Sequence, residues 1–89
     1  MYRVEFTESA TKQLRKLDKQ TARIIKNWVI KNLVSTLNPR LHGKPLKGKL
    51  KGIWRYRVGE YRLLAEIEDD VVTILIFEIE HRKKVYKRK

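Results

Sequence analysis

The sequence predicts an α+β fold of two layers, with elements in the order β-α-α-β-β-β. Two observations carry this prediction. Apolar residues recur at helical spacing in the first half of the chain, and three strand-like runs follow one another between residues 53 and 79. With 89 residues, the chain is short enough for a single domain, residues 1–89, and it contains neither a repeat nor a linker.

The N-terminal part is predicted to form a strand and then a short helix. Residues 2–6 alternate between apolar and polar side chains, which is typical of a strand with one inward face. Thr7 or Ser9 is a suitable N-cap for the helix, because either hydroxyl can accept a hydrogen bond from the first turn. Apolar residues at helical spacing indicate that this helix extends to about residue 17.

A second helix follows almost without a loop, so the two helices are expected to form an α-hairpin. Asp18 is the expected N-cap of the second helix. Pro39 is expected to stop it near residue 38, because proline cannot continue a helix. Its core-facing apolar stripe comprises Ala22, Ile25, Trp28, Val29, Leu33 and Leu37.

Three strands are expected after a basic, turn-rich loop at residues 39–52. Residues 53–58 and 61–68 alternate in polarity around a tight turn at residues 59–60, which predicts a β-hairpin. Residues 71–79 are apolar on both faces, so we expect them to form the central strand. Together these runs predict a three-stranded antiparallel meander.

The first strand is expected beside the last one, because the last strand is apolar on both sides. This pairing gives a four-stranded sheet, followed by a short basic C-terminal tail at residues 80–89. The α-hairpin is expected to cover one face of the sheet. The opposite face would then present arginine side chains.

The charge distribution indicates a polyanionic partner. Lys and Arg number 22 against 10 Asp and Glu, a formal net charge of +12, which favours RNA, DNA, an acidic protein or an anionic membrane surface. Small proteins also carry surplus lysine for solubility, but here the acids are unevenly placed. Glu60 is the only acid between residues 39 and 62, and residues 81–89 contain none. A functional basic face is therefore favoured over plain solvation.

The composition disfavours several kinds of site and location. The chain has no cysteine, so it forms neither a disulfide nor a thiolate metal site. Its two histidines lie far apart without an acidic cluster, and we predict no metal site and no cofactor. No apolar run approaches the ~18–20 residues of a membrane span, and the N-terminus lacks the apolar core of a signal peptide. We expect a soluble cytoplasmic protein without a membrane partner.

Three arginines of the predicted hairpin form the first candidate site: Arg55, Arg57 and Arg62. If the turn at residues 59–60 closes the hairpin, all three lie on one sheet face within reach of a single phosphate. There they would stabilise the extra charge of a pentavalent transition state. The alternative is a cross-strand charge ladder with Glu66, Glu78 or Glu80. Three arginines exceed what one glutamate neutralises, which favours the functional interpretation.

The C-terminal motif forms a second candidate cluster, in which His81, Arg82 and Tyr86 would act on the same face. His81 has an ordinary pKa near neutrality and suits proton transfer. A solvated basic tail, anchored by Tyr86, explains the same residues equally well. The sequence alone leaves both interpretations open.

Lysines in the basic loop and the tail are expected to contact the phosphates of a nucleic acid without discriminating its sequence. These candidate RNA-binding residues are Lys44, Lys47, Lys49, Lys51, Lys83 and Lys84. His42 lies in the same loop and is interpreted as a surface residue.

This combination of residues suits a metal-free ribonuclease. Such an enzyme aligns the 2′-hydroxyl with the scissile phosphate, removes the hydroxyl proton, stabilises the phosphorane and protonates the leaving 5′-oxygen. The general base is the weak point, because arginine is effectively always protonated. Tyr86, His81 or a lysine whose pKa is lowered by cationic neighbours would have to serve as the base.

Three stretches of the chain resemble the RelE branch of the RelE/ParE toxin superfamily. They are Pro-Leu-Lys-Gly at residues 45–48, Trp-Arg-Tyr-Arg-Val-Gly-Glu-Tyr-Arg at residues 54–62, and His-Arg-Lys-Lys-Val-Tyr at residues 81–86. The likeness covers nearly the whole chain. It implies a RelE-like fold and a type II toxin, an mRNA interferase that cuts mRNA in the ribosomal A site and so inhibits translation.

The resemblance also implies a role for each matching residue. The basic pair on the family's second strand matches Arg55 and Arg57. By similarity, Arg62 would stabilise the phosphorane and Arg82 would assist the leaving group. Tyr86 would orient or deprotonate the 2′-hydroxyl and stack on a base.

The chain departs from the family at the strand pair. The best-known members carry lysines there, one of which is a proposed base, whereas this chain carries Arg55 and Arg57. Some ribosome-dependent relatives use a C-terminal histidine, so His81 is a reasonable substitute. ParE-like toxins share the fold but inhibit DNA gyrase without cutting RNA, and an RNA-binding module without catalysis is a third alternative. The closing Arg-x-x-x-Tyr pattern favours the nuclease.

The resemblance and the charge together imply three partners. The first is a cognate, RelB-like antitoxin, whose acidic or amphipathic segment would wrap the basic toxin. The second is the ribosome, through its 16S rRNA and the A-site mRNA. The third is operator DNA, which the toxin would reach only through the antitoxin complex.

Overall fold

The computed structural model describes residues 1–82, which form two helices and a five-stranded mixed sheet. In chain order the elements are β1 (Arg3–Phe6), α1 (Glu8–Lys16), α2 (Lys19–Asn32), β2 (Gly43–Pro45), β3 (Ile53–Val58), β4 (Tyr61–Glu68) and β5 (Thr73–His81). The strands lie side by side in the order β1-β5-β4-β3-β2. The predicted α+β class is confirmed. Neither of the described helices has the length and apolar character needed to cross a membrane.

Both helices begin at predicted caps. The hydroxyl of Thr7 accepts a hydrogen bond from the backbone N–H of Ala10 at 3.1 Å. The carboxylate of Asp18 accepts one from the backbone N–H of Thr21, also at 3.1 Å. Each bond satisfies one of the amides that the first turn of a helix leaves unpaired. The two helices therefore start at defined residues and form the expected hairpin.

The second helix ends at Asn32, whereas the prediction placed its end near residue 38. The following segment instead bonds to the N-terminal strand. The N–H of Ser35 donates to the carbonyl of Tyr2, and the N–H of Tyr2 donates to the carbonyl of Thr36, both at 2.9 Å. Ser35 has φ 63°, a left-handed conformation that ends the helical path. Leu37, predicted to be buried, is consequently 83% exposed.

The first strand lies beside the last one, as predicted, and the two run parallel with residues 3–6 opposite residues 73–76. The sheet has five strands, and the prediction of four was wrong because β2 forms inside the predicted basic loop. In β2, Gly43 lies opposite Tyr56. A Cβ atom at Gly43 would come within 2.9 Å of the Tyr56 ring, so glycine allows this close pairing.

The hairpin strands β3 and β4 have the predicted bounds, but β5 does not. It runs from Thr73 to His81, whereas residues 71–79 were predicted. A 3₁₀ turn occupies Asp69–Val71, and Val72 adopts a left-handed conformation with φ 51°, so the strand begins only after it. The strand also ends two residues later than predicted, so Glu80, predicted to lie in the tail, belongs to β5. The middle strand of the sheet is β4, with β5 next to it.

The core lies between the α-hairpin and one face of the sheet. Its largest fully buried side chains are Tyr56, Ile25, Leu33, Leu63, Ile74 and Ile76. The hydroxyl of Tyr56 donates to the carbonyl of Pro39 at 2.5 Å, and burial raises the pKa of Tyr56 to about 12. This buried bond fixes the loop before β2 to the sheet. Helices on one face leave the other face to the polar residues of β3, β4 and β5.

Candidate functional site

The predicted hairpin brings three arginines onto the sheet face that is opposite the helices. Arg57 and Arg62 lie directly opposite each other across β3 and β4, and Arg55 lies two residues before Arg57, about 7 Å along the same face. The turn between the strands is the predicted one, with Gly59 at φ 59°. We call this surface the arginine face, defined by Arg55, Arg57 and Arg62.

The arginine face contains charged groups that are only partly hydrated. Burial, followed by the charges of Arg57 and Arg62, lowers the pKa of Arg55. The Nε atoms of Arg55 and Arg62 are both buried and have no hydrogen-bond acceptor among residues 1–82. Because an unfilled donor on a buried cation is costly, these atoms mark a place that suits an anion with several oxygens.

Arg62 forms an ion pair with a carboxylate of the neighbouring strand. Glu80 lies opposite it across β4 and β5, and its Oε1 accepts a hydrogen bond from Arg62 Nη2 at 2.9 Å. The Glu80 side chain is 7% exposed and that of Arg62 is 20% exposed. One contact of the predicted charge ladder therefore exists. This contact involves Arg62 alone of the three arginines, within residues 1–82. A cross-strand charge ladder and a phosphate-binding role of the arginines are therefore not mutually exclusive.

Arg82 follows β5 at the same end of the sheet. Its backbone N–H donates to the carbonyl of Glu60 at 2.8 Å, so the chain stays attached to the β3–β4 turn beyond the last strand residue. Arg82 is exposed. The structure thus brings the backbone of Arg82 to the hairpin end that carries Arg57 and Arg62. The predicted partner in the closing motif, Tyr86, lies outside the described residues.

The two histidines pack against aromatic rings. His81 lies opposite Tyr61, and the two rings meet edge to face with centroids 4.9 Å apart at 88°. Neighbours along a strand point to opposite faces, so His81 lies on the opposite face of β5 from Glu80 and the arginine face. His42 is exposed and meets Trp28 edge-on at 6.2 Å. The structure does not bring His81 together with the three arginines, and its catalytic role stays a prediction.

Four of the six predicted RNA-binding lysines lie in the described part of the chain. Lys44 on β2 lies opposite Arg55 and extends the arginine face toward the sheet edge. The loop carries three further exposed lysines in and beside the 3₁₀ turn Gly48–Leu50: Lys47, Lys49 and Lys51. Lys83 and Lys84 lie outside the described residues. Exposed lysines near the arginine face suit phosphate contacts.

A second arginine–carboxylate pair lies away from this site. Arg40 donates to both carboxylate oxygens of Asp69, at 3.2 and 2.8 Å, and its guanidinium lies 5.6 Å from the Trp54 ring centroid. Tyr2 also donates to Asp69. These contacts join the loop before β2 to the β4–β5 connection. Among residues 1–82, no three His, Asp or Glu side chains gather into a group suited to a metal ion.

Glu80 is a neighbour of the candidate site that the sequence did not reveal. It was considered only as one of three possible ladder partners and was assigned to the tail. Its position opposite Arg62 depends on a register shift in β5 between the partners of Leu64 and Ala65. Alternation alone does not reveal such a shift. The one available signal was the pattern Glu-Ile-Glu at residues 78–80, which continues the strand past its predicted end.

A family model and two curated proteins are similar to this chain. The model described as the ParE toxin of type II toxin–antitoxin systems, parDE, matches residues 4–86. Toxin RelG of Mycobacterium tuberculosis is 34% identical over 87 residues, which span 98% of each chain. Toxin RelE of the same organism is 31% identical over 86 residues, which span 97% of this chain and 87% of the relative.

Solved structures of two toxin–antitoxin complexes contain chains that are similar to this one. The toxin–antitoxin complex RelBE2 from M. tuberculosis contains a chain that is 34% identical, with a TM-score of 0.82, over 91% of this chain and 98% of that one. The RelB–RelE antitoxin–toxin complex from Methanococcus jannaschii contains one that is 29% identical, with a TM-score of 0.71, over 96% of this chain and 98% of that one. The similarity therefore extends from the sequence to the whole fold.

Proposed function

This chain belongs to the ParE toxin family of type II toxin–antitoxin systems, and we propose that it is a ribosome-dependent endoribonuclease that cleaves mRNA in the A site. The observation that carries this proposal is the arginine face, where two buried guanidinium Nε atoms have no acceptor within residues 1–82. A phosphodiester supplies such acceptors. Ribosome-bound mRNA as the substrate also implies a cytoplasmic toxin that contacts 16S rRNA.

The proposed reaction is an in-line transesterification. The 2′-hydroxyl loses its proton and attacks the adjacent phosphorus, and the bond to the 5′-oxygen then breaks as that oxygen gains a proton. The phosphorane carries more negative charge than the substrate, and Arg62 with Arg55 and Arg57 would stabilise it. Guanidinium groups supply this charge stabilisation directly, so the proposed mechanism is metal-independent.

We assign the proton transfers to residues of the closing motif, 81–86, by its resemblance to the family. Arg82, held at the β3–β4 turn, would assist the leaving group. Tyr86 would orient or deprotonate the 2′-hydroxyl, and His81 is a second candidate base. We expect His81→Ala to lower cleavage at saturating ribosome. Unchanged cleavage would remove His81 from the mechanism.

The direct test is primer extension on an mRNA in translating ribosomes, beside a gyrase supercoiling assay. The proposal predicts new 5′ ends within A-site codons on addition of the protein, and normal supercoiling. Intact mRNA with inhibited supercoiling would instead establish a ParE-like gyrase inhibitor. Retained ribosome binding without any cleavage, both in the wild type and in Tyr86→Phe, would indicate an RNA-binding module.

We also propose a cognate, RelB-like antitoxin as the main protein partner, by analogy with the RelBE2 and RelB–RelE complexes. A groove of about 600 Å³ between the α-hairpin and β1 supports this proposal. Its apolar lining includes Val4, Phe6, Leu14, Leu17, Val29 and Ile30. Arg15, Lys19 and Lys26 also line it, so it suits an amphipathic segment with acidic flanks. Operator DNA would then be bound through the antitoxin.

Two exposed isoleucines of α2 provide a matched test of the groove. Ile30 lines the groove and is 62% exposed, whereas Ile24 is 53% exposed and does not line it. With the proposed RelB-like antitoxin as the probe, we expect Ile30→Asp to weaken complex formation in calorimetry and Ile24→Asp to leave it unchanged. Equal affinities of the two variants would place the partner elsewhere.

A further inference from the structure

Glu80 lies beneath a guanidinium of the arginine face. It is paired across β4 and β5 with Arg62, and the distance from Oε1 to Nη2 is 2.9 Å. The carboxylate is 7% exposed and the guanidinium 20% exposed, so a ligand that approaches the sheet meets Arg62 before Glu80. Because Glu80 is more deeply buried than Arg62, its carboxylate can act on the arginine without contacting the substrate.

The ion pair restrains Arg62 without saturating it. A guanidinium has five N–H donors, and the recorded contact with Glu80 uses a donor of Nη2. The Nε donor is buried and has no acceptor among residues 1–82. The donors that the Glu80 contact leaves over belong to a side chain that is 20% exposed, so Arg62, fixed at one end, can bind an oxyanion without first reorganising.

The restraint is needed because the arginines repel one another. Arg57 lies directly opposite Arg62, and burial, followed by the charges of both arginines, lowers the pKa of Arg55. Like charges in opposite positions of a sheet destabilise the pair and favour rotamers that separate them. A buried carboxylate beneath Arg62 offsets this repulsion and holds its guanidinium on the sheet.

We infer that Glu80 is a positioning residue of the proposed nuclease site, which orients Arg62 toward the substrate phosphate through their cross-strand ion pair. The inference rests on the proposed function, and it adds a residue that acts through Arg62. It has two consequences of opposite sign. Loss of the Glu80 charge leaves Arg62 poorly oriented in the transition state, and it also removes a negative charge that opposes binding of the phosphate.

The kinetic test uses Glu80→Gln, whose amide oxygen can still accept a hydrogen bond from Arg62. We expect kcat for mRNA cleavage on ribosomes to fall about tenfold or more, while KM stays constant or decreases. Glu66→Gln is the matched control, because Glu66 is exposed and lies four residues from Arg62 on β4. It removes the same charge and should leave kcat unchanged. Equal kcat values for the wild type and Glu80→Gln would overturn the inference.

A second measurement does not depend on cleavage. In the ¹⁵N-labelled protein, the Nε–H resonance of Arg62 should be protected from water exchange and should shift on titration with inorganic phosphate. In Glu80→Gln it should exchange faster. In Glu80→Asp, which keeps the charge but shortens the side chain, it should be intermediate, with an intermediate kcat. Identical Arg62 signals in all three proteins would overturn the inference even if each is folded.

The two measurements separate the inference from the proposed function. If the wild type does not cleave mRNA, the nuclease proposal fails, and the inference keeps only its claim that Glu80 orients Arg62 for an oxyanion. The exchange and phosphate experiments then decide that claim. If the wild type cleaves and Glu80→Gln cleaves equally well, the nuclease proposal stands and Glu80 has no positioning role.

Discussion

Two arginine–carboxylate pairs in the described part of the chain, Arg40–Asp69 and Arg62–Glu80, differ in how completely the guanidinium is used. Arg40 engages both oxygens of Asp69 and lies over the Trp54 ring. The Arg40 side chain is 40% exposed and that of Asp69 is 54% exposed. Arg62 has one recorded contact with a carboxylate that is 7% exposed, and its buried Nε has no acceptor within residues 1–82. The distance from Nη2 to the carboxylate oxygen is 2.8 Å in the Arg40–Asp69 pair and 2.9 Å in the Arg62–Glu80 pair.

The comparison shows that the length of an ion pair does not distinguish a structural arginine from one that is available to a ligand. The number of donors left unfilled, and the burial of those donors, is the better criterion. Arg40 joins two loops and its fork is occupied by Asp69, whereas Arg62 retains a buried donor that has no acceptor in the described part of the chain. Variants of Arg62, Arg57 and Arg40 test this criterion.

The largest expected effect is on cleavage by Arg62→Ala. Loss of a donor that stabilises the phosphorane typically costs about 10²–10³-fold in rate. We expect a decrease of that size in single-turnover cleavage on ribosomes, with thermal melts to confirm that the variant is folded. Arg62→Lys, which keeps the charge but loses the planar fork, should also be impaired. Full activity of both variants would refute the assignment of Arg62.

A smaller effect is expected for Arg57→Gln, which removes one exposed cation from the arginine face. Each phosphate contact contributes close to one counterion to the salt dependence of binding. We expect weaker ribosome binding and a slope of log affinity against log salt that is lower by about 1. Arg40→Gln is the matched control and should leave the slope unchanged. Equal slopes for Arg57→Gln and the wild type would contradict the contact.

Arg40→Ala is expected to affect the fold and not the reaction. The mutation removes the bidentate contact with Asp69 and the packing on Trp54, but exposed ion pairs contribute little to stability. We expect the melting temperature to fall by a few degrees, and cleavage by the folded protein to match the wild type. A large loss of kcat would show that Arg40 belongs to the site despite its occupied fork.

The smallest effect is the pH dependence of the Arg40–Asp69 pair. Hydrogen bonds from Arg40, and then from Tyr2, lower the pKa of Asp69 below its ordinary value of 3.8. Its stabilising contribution is therefore complete above that ordinary value and is lost as the pH falls through the lower folded pKa. Melts of Asp69→Asn and wild type should differ at neutral pH and converge in strong acid. A difference between the two melting temperatures that stays constant over the whole pH range would contradict this prediction.

Local signals in the sequence were sufficient for most of the fold. Thr7 and Asp18 identified the helix starts, because a cap is a short-range hydrogen bond. The predicted end of α2, near residue 38, was wrong because Ser35 and Thr36 form backbone hydrogen bonds with Tyr2, a partner that is distant in the sequence. Strand β2 was missed for a similar reason, since three residues with a glycine have no strand pattern of their own and are recognised as a strand only from their pairing with residues 54–56 of β3.

The candidate site was predicted in part. Alternation along β3 and the turn at Gly59 were enough to place the three arginines on one face. The partner of Arg62 was not determined, because the register of β5 shifts beside Leu64. The face of His81 depends on the same register. Side-chain composition can thus identify which residues carry charge, but only the strand alignment determines which charges meet.

The parallel pairing of β1 with β5 has a consequence for synthesis of the toxin. Arg3 and Thr73 are neighbours in the sheet although 70 positions separate them in the chain. A nascent chain cannot complete the sheet, or place Glu80 beneath Arg62, until residues beyond 73 have been translated. Contacts of such long sequence separation also form slowly. The β3–β4 hairpin that carries Arg55, Arg57 and Arg62 is local in the chain, whereas the support that Glu80 gives to Arg62 requires the last strand.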